Sequence, residues 1–361
     1  MNTREIKTKS QQASLPYAFP DLIGTGGIIK QLPEDFKVSE VLPYTLSGTG
    51  DHHYAYIEKS LLSTSELIKS IQNILGIENQ DIGFAGLKDV QGITRQWISV
   101  KSELEPEWKK LESGQIRIIE NSRHTNKLKT GHIGENRFSI KIRKIDQTSQ
   151  IEPVLSQIKT IGFPNYYGLQ RFGRDSQNHL LGRKLLLGEK KPKGSHRDFR
   201  FLINAYQSFL FNQIISLRLE KHNNLTAVFP GDLANPSQSR GVFLVDEENL
   251  DISIQRSEDN EISMTAPMFG YRVRLCEGIP GGWERELLTS EEISLEHFRG
   301  TRKKFSFRGE RRNIRAFPKE LTFNLEKNGN DTDLNLSFSL GSGIYATSLL
   351  RELMKVESLN F

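Results

Sequence analysis

The chain has 361 residues, 36% hydrophobic and 26% charged, with 20 Phe, nine Tyr and three Trp to fill cores, a globular composition that excludes a disordered chain. No apolar run approaches the roughly 20 residues that span a bilayer, and the polar opening MNTREIKTKSQQ predicts no secretory signal. Cys276 is the only cysteine, so no intrachain disulfide can form, which fits a reducing cytoplasm. The net charge of +5 comes from 49 Lys and Arg against 44 Asp and Glu, a modest excess whose distribution matters more than its sum.

In chain order, Gly24-Thr25-Gly26-Gly27 comes first, but it lacks both the Lys-Ser/Thr of a phosphate loop and the strand–helix context of a dinucleotide fingerprint. His52 and His53 are adjacent and far in sequence from Cys276, so no zinc-site spacing arises. A helix is predicted over 65–75. Ser63 and Glu66 have capping-box spacing, Leu67, Ile68, Ile71, Ile74 and Leu75 form a stripe, and Gly76 can end it. The segment Phe84 to Asp89 then reads as a loop ahead of a strand-like Trp97 to Val100, and Gly83 and Gly86 permit a tight path there.

Phe138, Ile140 and Ile142 alternate with polar residues, as in a half-buried strand. The stretch 175–200 is polar and basic, 204–221 is a second helix candidate through Tyr206, Leu210, Ile214 and Leu217, and 221–263 is rich in Asn, Asp, Glu and Ser. Leu334, Leu336, Phe338 and Leu340 alternate again, and Ala346 to Val356 returns to helical spacing. The class is therefore mixed α and β. The composition shift suggests a domain over 175–310 inserted into one formed by 1–174 and 311–361.

Basic residues gather twice, at Arg183, Lys184, Lys190, Lys191, Lys193, Arg197 and Arg200, and at Arg302, Lys303, Lys304, Arg308, Arg311, Arg312 and Arg315. They read either as solvated faces or as phosphate contacts, and a polyanionic partner would account for both groups together. Asp89 likewise has two readings. It is a turn or cap residue, or a carboxylate nucleophile that Lys88, Thr94 and Gln96 position.

The pattern Gly-x-Lys-Asp-x-x-x-x-Thr-x-Gln from Gly86 to Gln96 resembles the TruD family of tRNA pseudouridine synthases. Gly27 to Lys30, Pro33 to Glu40, Gly48 to His52, Gly131 to Phe138, Pro164 to Gly173, Asn204 to Asn212, Gly309 to Pro318 and Tyr345 to Leu353 resemble its other motifs in the same order, so the likeness runs from about 25 to 355. Gly92 stands where that family often has Ala, Val90 and Gln91 replace a common polar or charged pair, and Gly341 stands where Pro is usual.

The resemblance implies an α+β fold: a pseudouridine synthase catalytic domain with a largely antiparallel sheet, plus an inserted α/β TRUD domain. It implies isomerisation of uridine to pseudouridine at position 13 of tRNA by a cytoplasmic monomer that uses no metal or organic cofactor. It makes Asp89 the nucleophile and Lys30 its companion cation, and it places Phe36, Asn136, Phe138 and Phe338 at the base. From periodicity, the same phenylalanines read as core and Asn136 as a turn residue. An RNA-binding protein without catalysis would share the basic clusters but would have no use for Asp89 or Lys30. A glycosidase would need a paired acid and base; the sequence near Asp89 offers no obvious partner, and Glu34, Asp35 and Glu40 are the carboxylates that folding could bring close to it.

If Lys190, Lys191, Lys193, Arg302, Lys303 and Lys304 touch phosphates, replacing several with Ala weakens tRNA binding at low salt. The slope of log affinity against log salt then flattens by about 0.7 to 0.9 per lost contact. Filter binding over a salt series measures it, and an unchanged slope identifies a merely solvated face.

Overall fold

The computed structural model describes residues 15–88, 90–173, 175–189, 195–237, 241–300 and 306–356. Asp89, Lys190, Lys191, Lys193, Arg302, Lys303 and Lys304 lie outside the described residues. In chain order the strands and α-helices are β1 (Phe36–Val41), β2 (His52–Ser60), α1 (Thr64–Leu75), β3 (Ile82–Phe84), β4 (Ile93–Lys101), β5 (Ile116–His124), β6 (Glu135–Ile142) and α2 (Ile151–Ile161). There follow β7 (Phe163–Pro164), α3 (Asn178–Leu186), α4 (His196–His222), β8 (Leu233–Pro236), β9 (Phe243–Leu244), α5 (Leu250–Glu258), β10 (Ile262–Met268), α6 (Gly278–Ser290), β11 (Glu310–Asn313) and β12 (Arg315–Ala316). The chain ends in β13 (Lys319–Asn328), β14 (Asp331–Gly341) and α7 (Ala346–Met354).

These elements form two compact units, Leu22–Thr160 with Phe317–Phe361, and Met1–Asp21 with Ile161–Ala316. The expected divisions at 174 and 310 differ from these. Residues 161–173 pack with the second unit because β7 pairs with β12, while Asn165 donates from its backbone to the Ile314 carbonyl and from its side chain to the Asn313 carbonyl.

The first unit is built on an eight-stranded sheet in the order β13-β14-β6-β1-β4-β2-β5, with β3 also paired to β4. β1 and β4 run parallel, and the other pairings of this sheet among the described residues are antiparallel, as the family resemblance implied. One edge of β4 therefore carries β1 at Ile93 to Arg95 and β3 at Ile98 to Val100, so the loop joining β3 to β4 is tethered at both ends.

Helix α1 starts where Ser63 and Glu66 satisfy each other's backbone N–H groups and stops at Gly76, whose φ of 68° is left-handed. Its buried Leu67, Ile68 and Ile71 pack with Ala55, Ile57, Ile98 and Val100 of the sheet.

In the second unit, β11, β10, β8 and β9 make an antiparallel sheet whose central β10 is buried throughout. Helix α4 begins at His196, well before the expected 204. Ser195 and Asp198 form a capping box there, and Phe199 and Ile203 extend the buried stripe into a stretch that reads as polar.

The most buried ion pair of this unit joins Arg218 of α4 to Asp232 at the start of β8. The guanidinium donates to both carboxylate oxygens at 2.9 and 2.7 Å, and the two side chains are 4% and 0% exposed. Asp232 also accepts the Phe229 N–H at 2.9 Å. Asp232→Ala leaves the guanidinium buried without its counterion, and stability falls by about 3–5 kcal/mol. Urea unfolding measures it, and a loss below about 1 kcal/mol would show that water reaches the site.

Candidate active site

Register alone collects one set of side chains on one face of the large sheet. Phe36, Val38 and Glu40 of β1 stand opposite Ile140, Phe138 and Asn136 of β6, and these in turn stand opposite Leu336, Phe338 and Leu340 of β14. Phe138 stacks on Phe338, with centroids 5.2 Å apart, and Phe36 meets Phe138 edge-on at 6.3 Å. All three rings are buried, so the core role expected from periodicity is real.

Lys30 reaches this wall from a constrained segment. Ile28 exchanges backbone hydrogen bonds with Arg143 at 2.8 Å in each direction. Gly27 has φ 92°, and a Cβ there would lie 2.7 Å from Cγ2 of Ile142. Lys30 itself has φ 57°, a left-handed conformation that lysine seldom adopts. Its Nζ lies 4.3 Å from the centroid of the Phe36 ring, in cation–π range.

The turn that follows is locked by Asp35. Its carboxylate accepts the Leu32 N–H at 2.9 Å and two guanidinium hydrogen bonds from Arg143 at 2.8 and 2.7 Å. Burial works to raise the Asp35 pKa, but Arg143 and the Leu32 N–H outweigh it and hold the carboxyl below its ordinary range.

The chain leading to Asp89 is fixed at Lys88 by both backbone and side chain. The Lys88 N–H donates to Oγ1 of Thr64 at 3.0 Å, and the Thr64 hydroxyl donates to Oε1 of Gln96 at 2.9 Å. Nζ of Lys88 donates to Oδ1 of Asn136 at 2.5 Å and pairs with Oε1 of Glu40 at 3.1 Å. The other Glu40 oxygen accepts the Trp97 N–H at 2.9 Å.

Beyond the loop, Gly92 has φ 134°, and a Cβ there would lie 2.4 Å from the Phe36 carbonyl oxygen, so this backbone path excludes the alanine common in the family. Oγ1 of Thr94 and Nε2 of Gln96 are buried with no hydrogen-bond partner among the described residues. Lys30, Phe36, Asn136, Phe138 and Phe338 thus all belong to the first unit, and Lys88, the residue before Asp89, is bonded to Asn136 among them.

The family model for tRNA pseudouridine synthase D (TruD) matches residues 14–192 and 197–353. The chain belongs to the TruD family. A tRNA pseudouridine synthase D from Thermus thermophilus is 40% identical over 347 residues, covering 96% of this chain and 93% of its own. Another from Anaeromyxobacter dehalogenans is 35% identical over 350 residues, covering 95% and 97%. A crystal structure from Methanosarcina mazei, also described as TruD, superposes with a TM-score of 0.74 at 24% identity. It covers 94% of this chain and 96% of its own, which bears on the fold alone.

Residues of other family-like motifs belong to the second unit. Within the second unit, Arg312 donates to Oδ1 of Asn165 at 2.6 Å and lies 4.4 Å over the Tyr167 ring, while Tyr167 and Asn212 exchange hydrogen bonds at 2.9 and 3.0 Å. These residues of three TruD motifs knit that unit together.

The basic clusters also divide. Arg315 is buried and donates to the carbonyls of Ile161, Ser257 and Ile262. Burial lowers its pKa to about 10, still far above neutrality. Arg311 is buried against Glu284 at 2.7 Å, and Arg183 pairs with Glu189, Glu291 and Glu292. Lys184, Arg197 and Arg308 remain exposed. Among the described residues no group of His, Cys, Asp and Glu is placed to hold a metal ion.

Sequence reasoning named Glu40 only as a candidate for a glycosidase's acid–base pair and passed over its place beside Lys88; it passed over Arg143 altogether. Glu40 was detectable, as a carboxylate in phase with Phe36 and Val38 on a core-facing strand. Arg143 carried no such signal, because its partner Asp35 is 108 residues away.

The lowered pKa of Asp35 contributes stability that is present above the ordinary carboxylate pKa and lost as pH falls through the lowered one. Arg143→Met removes the main lowering interaction and leaves burial to push the carboxyl up. The stability deficit of the variant is therefore largest near neutral pH and shrinks below the carboxylate range, and its acid unfolding starts at higher pH than in the wild type. Thermal midpoints from pH 3 to 7 measure it, and identical acid limbs would rule out this role for Arg143.

Proposed function

We propose that the protein isomerises uridine to pseudouridine in tRNA, at position 13 as the family resemblance implies, with Asp89 as nucleophile and Lys30 as the cation that keeps it ionised. The observation that carries this reading is the tethering of Lys88. The residue before Asp89 is bonded to Thr64, Glu40 and Asn136, on the face that also holds Phe36, Phe138 and Phe338. An RNA-binding protein without catalysis has no use for a carboxylate loop tied so firmly.

The reaction breaks the bond from N1 of uracil to C1′ of ribose and forms one from C5 to C1′. C5 loses a proton and N1 gains one, so atoms and electrons balance within the nucleotide and no redox partner is required. The target uridine must first leave its stack, at a cost of a few kcal/mol. Phe36, Phe138 and Phe338 offer apolar ring surface against the base. Asp89 attacks as the carboxylate, which a nearby ammonium favours and burial opposes. Exposed Lys184, Arg197 and Arg308, with the basic residues at 190–193 and 302–304, suit the phosphates of tRNA. The protein acts as a cytoplasmic monomer, with residues 175–310 at the core of an inserted TRUD domain. No helix of the described residues is long and apolar enough to cross a membrane.

Asp89→Asn abolishes pseudouridine formation and leaves tRNA binding nearly intact, since an amide keeps the size but not the nucleophilicity of a carboxylate. Lys30→Met slows the reaction and moves its pH–rate profile upward, because Asp89 then ionises at higher pH. Single-turnover isomerisation and filter binding on the same preparations test both. A folded Asp89→Asn protein that isomerises tRNA at a near-normal rate would falsify the assignment, and loss of binding in parallel with activity would mark Asp89 as structural.

A further inference from the structure

Lys88 decides which way the amide of Asn136 points. An ammonium has only donors to offer, so the Asn136 atom 2.5 Å from Nζ of Lys88 must be the oxygen. The NH2 group is thereby turned away from Lys88. The arrangement is held from behind, since Glu40 is the direct cross-strand partner of Asn136, pairs with Nζ at 3.1 Å and is itself fixed by the Trp97 N–H at 2.9 Å. The ion pair is almost wholly buried, with side chains 7% and 1% exposed, so rotation of either partner would strand a charge. Coordination by a cation also polarises the amide and strengthens its remaining N–H donors.

Resting on the reading that this face binds the target uridine, we propose that Glu40 and Lys88 are positioning residues that present Asn136 as a hydrogen-bond donor to the 4-carbonyl of the base. They thereby set the preference for uracil over cytosine, which carries an amino donor at that place. The same polarity serves the product. Turning uracil about its C6–N3 axis brings C5 to the place of N1 and exchanges the 2- and 4-carbonyls, so one donor meets a carbonyl oxygen before and after the turn. An acceptor at this position would face a carbonyl in both states.

The test uses a tRNA transcript that the full-length wild type modifies, and the same transcript with cytidine at the modified position. The dissociation constants are measured for both, and phosphate contacts common to the two cancel in their ratio. Lys88→Met releases the amide to turn its oxygen toward the base, and the cytidine-to-uridine ratio falls by about 5- to 150-fold, the weight of one unsatisfied buried polar group. Asn136→Asp keeps the bond to Lys88 but presents an acceptor, so the ratio falls at least as far or inverts. It decides the matter alone if Lys88→Met does not fold.

A merely structural role for Lys88 would lower stability and leave the ratio untouched. Wild-type activity with unchanged ratios in the folded variants overturns this inference and spares the isomerase reading. A wild type that forms no pseudouridine in any tRNA transcript overturns that reading, and this inference with it.

Discussion

The ion pair between Lys88 and Glu40 is the constraint on which the candidate site depends. Taking both charges out of water is costly, and the cost is met only while the ammonium keeps its carboxylate and its amide, and the carboxylate keeps the Trp97 N–H. Those partners come from β1, β4, β6 and the β3–β4 loop, so the pair fixes three strands and the loop at one point. A surface loop would ordinarily be mobile. Here the residue before Asp89 is as constrained as a core position.

A second constraint holds the segment carrying Lys30, by a different kind of chemistry. Its backbone is turned through left-handed conformations at Gly26, Gly27 and Lys30, and the cost is met by the Ile28–Arg143 bridge and by Asp35, which closes the turn and binds the same Arg143. Arg143 therefore works twice, through its backbone at one strand end and through its guanidinium on the turn. The lysine held in this way has its ammonium 4.3 Å from the centroid of the Phe36 ring.

The second unit uses arginine as scaffold. Arg218, Arg311 and Arg315 are buried with carboxylates or backbone carbonyls, and Arg312 lies over Tyr167. A guanidinium has five donors in a planar fork and can satisfy several buried acceptors at once, which an ammonium cannot do with the same geometry. Charge counted along the sequence thus overstates the charge offered to solvent, and the basic stretch that ends at Arg315 divides between interior and surface.

The sequence by itself determined the family, through ordered motifs, and the elements whose signals are local. Helix α1 was legible because its stripe and both caps fall within 14 residues, from Ser63 to Gly76, and β6 and β14 because alternation is intrinsic to a half-buried strand. What only the tertiary structure decided were pairings across long separations. Glu40 meets Lys88, Asp35 meets Arg143, and residues 161–173 join the second unit, because β7 finds β12 some 150 residues later. The reason is physical: periodicity reports which face of an element is buried, whereas a buried charge is satisfied by whichever partner the register of distant strands brings opposite it, and that register exists only once the sheet has formed.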